Sequence, residues 1–155
     1  MTLNKKQFAK AEMLIRKPID LVFQAFIDPK ITTKFWFTKS SGKLKEGEKT
    51  EWTWEMYNHS TSILTKKIEL NKKILIEWTN NTDLTTVEWN FKSLDENLTF
   101  VSIINYGFEE KNDKTIEAVR SSTEGFTLVL AGLKAYLEHN IELNLVADRF
   151  PKGIE

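Results

Sequence analysis

The sequence has no cysteine, and this absence excludes disulfide bonds, thiol chemistry and thiolate metal sites together. It also has no excess of charge of either sign, because its 22 basic and 22 acidic residues cancel. A neutral chain has no overall field to attract nucleic acid or an anionic membrane surface. We therefore expect no nucleic-acid partner.

Long apolar runs are missing as well. No segment approaches the roughly 18 apolar residues of a membrane-spanning helix, and residues 1–7 contain no apolar targeting core. These absences predict a cytoplasmic protein without membrane insertion. No repeat, low-complexity tract or linker divides the 155 residues, of which 41% are hydrophobic, so we expect a single domain over 1–155.

Known catalytic and cofactor motifs are also absent. The two histidines, His59 and His139, are predicted in a turn and after the last helix, so they are not expected to meet. No Gly-rich phosphate loop, His-Glu-x-x-His or Gly-x-Ser-x-Gly occurs. The sequence indicates no metal, no cofactor and no catalytic residue. An enzyme would need a carboxylate, Tyr or His with a perturbed pKa in a pocket.

The longest amphipathic stretch covers residues 121–138. Apolar residues recur there at spacings of three and four, which predicts a helix about 30 Å long with one apolar face. That face consists of Phe126, Val129, Leu130, Leu133 and Leu137. A hydroxyl from residues 121–123 is predicted to cap the start of this helix. Its small residues 131, 132 and 135 allow another element, or a ligand, to approach closely.

The rest of the chain predicts one strand, two short helices and a series of strands. Residues 8–16 alternate and end before Pro18, residues 19–27 have helical spacing, and Asp28 is placed to cap a short helix over 30–35. Between residues 42 and 108, alternating segments are joined by hairpin-length turns, which favours an antiparallel meander. The pattern predicts an α+β fold in which a curved antiparallel sheet wraps around the long C-terminal helix.

Aromatic residues are concentrated on the predicted strands, where they are expected to face the space between sheet and helix. Two interpretations remain open: the rings fill this space, or they line a cavity of at least about 300 Å³ for a small apolar molecule. The predicted lining of that cavity is Trp36, Trp54, Met56, Trp78, Trp89, Tyr106, Phe126 and Leu130. Ser102 and Asn105 are candidate polar points near it, and residues 35–37 a candidate lid or rim.

Two segments resemble a known family. The stretch Arg16-Lys-Pro-Ile-Asp-Leu-Val-Phe-Gln-Ala-Phe-Ile-Asp-Pro29, followed by Phe35-Trp36, resembles the opening of START-like, or SRPBCC, domains. Residues 124–138 are similar to the GWxxxLxxLKxxLE helix of one subgroup, with Phe126 in place of the usual tryptophan. That subgroup is homologous to the C-terminal domain of the 90-kDa heat-shock protein ATPase activator. The resemblance implies a helix-grip fold with a hydrophobic cavity between sheet and helix.

The resemblance implies three kinds of function. The first is binding of a small hydrophobic ligand such as a lipid, and the second is interaction with a chaperone in a stress response. The third is a cyclase or hydrolase acting on a hydrophobic substrate. The expected partners are accordingly a small hydrophobic molecule, a chaperone, or a second copy of the chain in a homodimer. The apolar tail, residues 141–151, is expected to pack on the body or on a partner.

Overall fold

The computed structural model describes residues 7–80, 83–109 and 113–154. Residues 1–6, on which the predicted lack of a targeting core mostly rests, lie outside these ranges. The strands are β1 Ala9–Ile15, β2 Lys39–Ser40, β3 Lys49–Trp54, β4 His59–Glu69, β5 Lys73–Asn80, β6 Asp83–Asp95 and β7 Leu98–Tyr106. The helices are α1 Ile19–Ile27, α2 Pro29–Thr32, α3 Asp113–His139 and α4 Leu145–Asp148, with a 3₁₀ helix at Glu55–Tyr57.

The seven strands of the described residues form one antiparallel sheet in the order β1-β7-β6-β5-β4-β3-β2. Strands β2 to β6 are each paired with the next strand along the chain, because short connections hold consecutive strands side by side. The predicted meander and the α+β helix-grip architecture are therefore confirmed. Strand β1 closes the order by pairing with β7.

One face of the sheet packs beneath α3. On β6 the side chains of Val87, Trp89 and Phe91 are buried, and Trp89 lies opposite the buried Ile103 of β7. The helix covers them with an apolar stripe that includes the fully buried Leu130 and Leu133. Burial of this stripe fixes the helix across the sheet.

The two short helices after β1 are confirmed. Helix α1 follows Pro18, and the Asp28 carboxylate caps α2 by accepting a hydrogen bond from the Lys30 amide at 3.0 Å. Helix α2 is shorter than predicted and ends at Thr32, whose hydroxyl donates to the Ala25 carbonyl at 2.5 Å. That bond ties α2 back to α1 and directs residues 35–37 toward the interior.

Helix α3 begins earlier than predicted. It starts at Asp113, so the proposed cap by residues 121–123 is wrong. Ser122 is buried and donates to the Asn105 side chain at 2.8 Å, while the Thr123 hydroxyl donates to the Val119 carbonyl within the helix. Both hydroxyls therefore have hydrogen-bond partners within the folded chain, and neither caps the start of a helix.

The end of α3 protects the edge strand β1. The Arg16 amide donates to the Glu138 carboxylate, and the Lys134 ammonium donates to the Leu14 carbonyl, both at 2.8 Å. Lys134 and Glu138 also bond to each other at 2.7 Å. Two backbone groups of the edge are thereby satisfied by side chains of the same helix. In the described part of the chain, no helix is long and apolar enough to cross a membrane.

Candidate functional site

The centre of the interior is a cluster of aromatic rings around Trp36. Its ring centroid lies 4.9 Å from that of Trp52, 5.7 Å from that of Phe126 and 6.1 Å from those of Trp78 and Trp89. Much of the space between sheet and helix is therefore filled with rings. Residues 35–37, the predicted lid or rim, are buried and belong to this core.

Two adjoining pockets open beside this cluster, between α3, the sheet and the tail. The first has a volume of about 220 Å³ and is walled by Trp36, Trp78 and Phe126 on the body and by Val146 and Phe150 of the tail. The second, of about 630 Å³, shares Trp78, Val146 and Phe150 and extends along the sheet to Trp54. We call the two pockets together the aromatic cleft.

A third pocket lies on the other side of Val146. It has a volume of about 320 Å³, and Trp36, Met56 and Gly132 line it together with tail residues. Trp36 and Val146 line both this pocket and the first one. The tail therefore lies across the space above Trp36 and divides it.

The structure brings five of the eight predicted lining residues to these pockets. Trp36, Trp78 and Phe126 line the first, Trp54 the second and Met56 the third. Trp89 and Leu130 are fully buried in the core and line none of the three pockets.

Tyr106 lies on the opposite face of the sheet. Its hydroxyl donates to the Glu88 carboxylate there at 3.4 Å, and burial together with the charge of Glu88 raises the pKa of Tyr106. Along β7 the buried residues are Thr99, Val101, Ile103 and Asn105, so Ser102 and Tyr106 alternate to the other face. Neither Tyr106 nor Ser102 joins the aromatic cleft.

Of the two predicted polar points, Asn105 does reach the inner face, and it connects three elements. Its amide nitrogen donates to the Thr85 hydroxyl and the Thr86 carbonyl at 2.9 Å, and its carbonyl oxygen accepts from Ser122 at 2.8 Å. The residue is completely buried. This network fixes α3 to β6 and β7 close to the inner end of the cleft.

Two tryptophan nitrogens in the cluster are buried without a hydrogen-bond acceptor. Among the described residues, neither Nε1 of Trp78 nor Nε1 of Trp89 has a partner. Both rings contact Trp36 and Phe126, whose side chains contain no oxygen that could accept. A buried donor without an acceptor costs on the order of 1–3 kcal/mol.

The tail forms the outer wall of the cleft, and sequence patterns did not identify its residues. The Tyr57 hydroxyl donates to the Val146 carbonyl, and the Tyr57 ring meets Phe150 edge to face at 6.1 Å. Arg149 bonds to the Glu124 carboxylate through Nε and through a terminal nitrogen at 3.0 Å. The only available signal was the apolar character of the tail, which predicts packing without indicating where.

The charges at the mouth of the cleft are paired. The hydrogen bond from Arg149 lowers the pKa of Glu124, and the same bond raises the pKa of Arg149, so both groups keep their charges around neutral pH. Both side chains remain close to half exposed, so the pair contributes little to stability. Within the described ranges, no group of three or more acidic, histidine or cysteine side chains could hold a metal ion.

Comparisons with known proteins support the fold. The family model described as Activator of Hsp90 ATPase homolog 1-like protein matches residues 16–138. Protein SSP2350 from Staphylococcus saprophyticus is 26% identical and superposes with a TM-score of 0.73 over 88% of this chain and 95% of that one. The search among curated proteins found no match.

Two further solved structures share the fold at lower identity. The Aha1 dimer from Colwellia psychrerythraea is 18% identical, with a TM-score of 0.70 over 85% of this chain and 96% of that one. PFC0360w, described as an HSP90 activator from Plasmodium falciparum, is 21% identical, with a TM-score of 0.66 over the same shares of the two chains.

Proposed function

Because the chain belongs to the family of Activator of Hsp90 ATPase homolog 1-like proteins, we propose that it uses the family's sheet-and-helix fold to bind a small apolar molecule in the aromatic cleft. The observation that carries this proposal is the first pocket, with Trp36, Trp78 and Phe126 on one side and Val146 and Phe150 on the other. Its volume, about 220 Å³, is smaller than the roughly 300 Å³ expected from the sequence, but it adjoins the second pocket, of about 630 Å³. Such a site is concave, mainly apolar and largely formed before a ligand arrives.

The size of the pocket limits the affinity. A bicyclic aromatic molecule that buries about 250 Å² of apolar surface gains roughly 6 kcal/mol at ~25 cal/mol per Å², before the cost of its lost motion is subtracted. That gain corresponds to a dissociation constant no tighter than about the micromolar range. Binding experiments therefore need ligand concentrations from micromolar to millimolar.

Native mass spectrometry of gently purified protein, followed by denaturing extraction, tests the proposal. We expect a defined hydrophobic molecule to travel with the protein, or a saturable complex to form with a member of a panel of fatty acids, sterols and aromatic polyketides. Protein that purifies without such a molecule and binds none of the panel would contradict the proposal. The extracted molecule would also show whether a lipid is the natural ligand.

Gly125 offers a way to block the cleft without disturbing the core. It lines the first pocket on α3, and a Cβ added there would meet nothing within 4 Å. Gly125→Leu should fill the pocket and abolish binding, because its side chain enters open space. Thr127→Leu is the matched control, since Thr127 is exposed two residues further along the same helix.

A second candidate function is interaction with a chaperone of the 90-kDa heat-shock class. The family description and the similarity to a Plasmodium protein described as an HSP90 activator favour it. So do the exposed apolar residues of the tail, among them Phe150 at 61% and Ile154 at 77% exposure. A chaperone ATPase assay distinguishes the two candidates, because Gly125→Leu should remove ligand binding while leaving stimulation by a surface contact intact.

The resemblance also leads us to propose a cytoplasmic location and a role in the stress response. Homodimer formation is a further proposal, which the similarity to the Colwellia dimer supports. Sedimentation equilibrium tests the oligomeric state directly: a single species with the mass of one chain, 18.1 kDa, would exclude a stable dimer.

A further inference from the structure

The indole nitrogen of Trp78 is a buried, unpaired polar atom on a residue that lines the cleft. The Trp78 ring lines both pockets of the aromatic cleft, yet its Nε1 lies under the surface, and no acceptor for it occurs among the described residues. Trp89 has the same unpaired nitrogen but lines neither pocket. Of the two unpaired indole donors, that of Trp78 therefore belongs to a residue that lines the cleft, and that of Trp89 does not.

The surroundings of Trp78 explain why its own chain leaves this donor unpaired. The ring packs against Trp36, Trp52 and Phe126, with centroids 6.1, 6.4 and 5.7 Å away, and none of these side chains can accept a hydrogen bond through an oxygen atom. No other described residue brings an acceptor within hydrogen-bonding distance of this nitrogen. A buried donor without a partner gains the most free energy when a ligand brings a hydrogen-bond acceptor to it.

The two charged side chains that line the first pocket, Glu124 and Arg149, neutralise each other. Glu124 and Arg149 line the first pocket and bond to each other through two nitrogen atoms of the guanidinium. A charged ligand would have to compete with this pair, or carry its charge in among the aromatic rings, which is costly. A neutral molecule avoids both costs.

We propose that the ligand of the aromatic cleft is a neutral apolar molecule with one hydrogen-bond acceptor, such as a ketone or ester oxygen, which the Trp78 indole N–H recognises. This inference rests on the proposed ligand-binding function and specifies the class of ligand. Because Nε1 lies just beneath the wall, binding includes a small shift of the rings around Trp78. The indole group thus selects oxygenated molecules over hydrocarbons of the same shape.

The test uses three probes with one bicyclic skeleton. They are the hydrocarbon tetralin, the ketone α-tetralone and a tetralin that carries a carboxylate group. Their affinities are measured by calorimetry on the full chain and on Trp78→Phe, which removes the N–H but keeps an aromatic ring. We expect the affinity of the ketone relative to the hydrocarbon to fall roughly 5- to 10-fold in Trp78→Phe, the value of one hydrogen bond. Trp54→Phe is the matched control, because Trp54 also lines the cleft but is not among the residues with a buried unpaired nitrogen.

A second measurement needs no substitution at the site. In the indole region of a nitrogen–proton correlation spectrum, the Trp78 proton should move downfield with α-tetralone and not with tetralin. The inference is overturned if both neutral probes bind while Trp78→Phe leaves their ratio unchanged, or if the carboxylate binds tightest. Failure of all three probes to bind would instead contradict the proposed function itself.

Discussion

Gly132 on α3 lies in direct contact with Phe35: a Cβ built on the glycine would be 3.2 Å from the Cβ of Phe35 and 3.3 Å from its carbonyl oxygen. The sequence suggested that small residues on this helix leave room for another element or for a ligand. The element that approaches is the turn after α2. Close contact at this point places the neighbouring Trp36 between sheet and helix, where its ring contacts three rings that line the cleft, those of Trp54, Trp78 and Phe126.

The contact between Gly132 and Phe35 predicts opposite effects of alanine at two glycines of α3. Gly125→Ala should raise the free energy of unfolding by up to about 1 kcal/mol, because alanine favours a helix and the added methyl group meets nothing. Gly132→Ala should be less stable than Gly125→Ala by roughly 1–3 kcal/mol, since Phe35 must shift. Urea unfolding measures both, and equal stabilisation by the two changes would contradict the close contact.

The network around Asn105 predicts a graded loss of stability. Ser122→Ala removes one hydrogen bond to the Asn105 oxygen and should cost about 1 kcal/mol. Asn105→Ala should cost roughly 2–4 kcal/mol, because it also deprives Thr85 and Ser122 of a buried partner and leaves a cavity. Thermal and urea unfolding of both variants test the order, and a larger loss for Ser122→Ala would contradict it.

The surroundings of the Glu138 carboxyl group predict that the stability of the protein depends on pH. Burial alone would raise the pKa of this carboxyl, but hydrogen bonds from Lys134 and from the Arg16 amide outweigh burial and lower the pKa below the usual value of 4.5. A carboxyl whose pKa is lower in the folded state stabilises the fold above its unfolded pKa and loses that contribution as the pH falls through the folded pKa. We therefore expect this stabilisation at neutral pH and its loss below about pH 4.5.

Glu138→Gln tests this pH dependence. It should lower the free energy of unfolding by about 1–2 kcal/mol at pH 7. The difference from the parent protein should shrink in acid, where the parent carboxyl is itself protonated. The same substitution at the exposed Glu51 is the control and should have little effect. A difference that is independent of pH would show that the charge of Glu138 contributes nothing at the edge of β1.

Phe150 should affect ligand binding more than stability. Its ring is 61% exposed but lines both pockets of the cleft and contacts Tyr57. Phe150→Ala should change the free energy of unfolding by no more than about 0.5 kcal/mol. It should weaken binding of α-tetralone about 5-fold or more, because part of the apolar wall is lost. Unchanged affinity would mean that the tail does not contribute to the site.

Sequence patterns predicted the elements of the fold better than their ends. The spacing of Phe126, Leu130 and Leu133 identified the long helix, and the alternation around Trp89 identified a strand with one buried face. The start of α3 was missed because serines at positions 121 and 122 look like a cap. In the folded chain the Ser122 hydroxyl donates to Asn105 on β7. The sequence around Ser122 cannot show a contact with a residue so distant along the chain.

Which face of β7 is buried is a second feature that the sequence pattern did not predict. Apolar residues occupy both alternations of this strand, so the pattern does not decide which set is buried. The polar Asn105 turns inward because Thr85, Thr86 and Ser122 are there to bond it, while Tyr106 turns outward to Glu88. Likewise, the tail wall of the cleft depends on long-range contacts such as that between Tyr57 and Val146.

Titration of α-tetralone into the parent protein, Gly125→Leu and Thr127→Leu tests the central claim most directly. The account predicts saturable one-to-one binding to the parent and to Thr127→Leu, and none to Gly125→Leu at the same concentrations, with all three proteins folded by circular dichroism. Equal binding to Gly125→Leu would place the ligand outside the first pocket. No binding to the parent would contradict the aromatic cleft as a site for small neutral molecules.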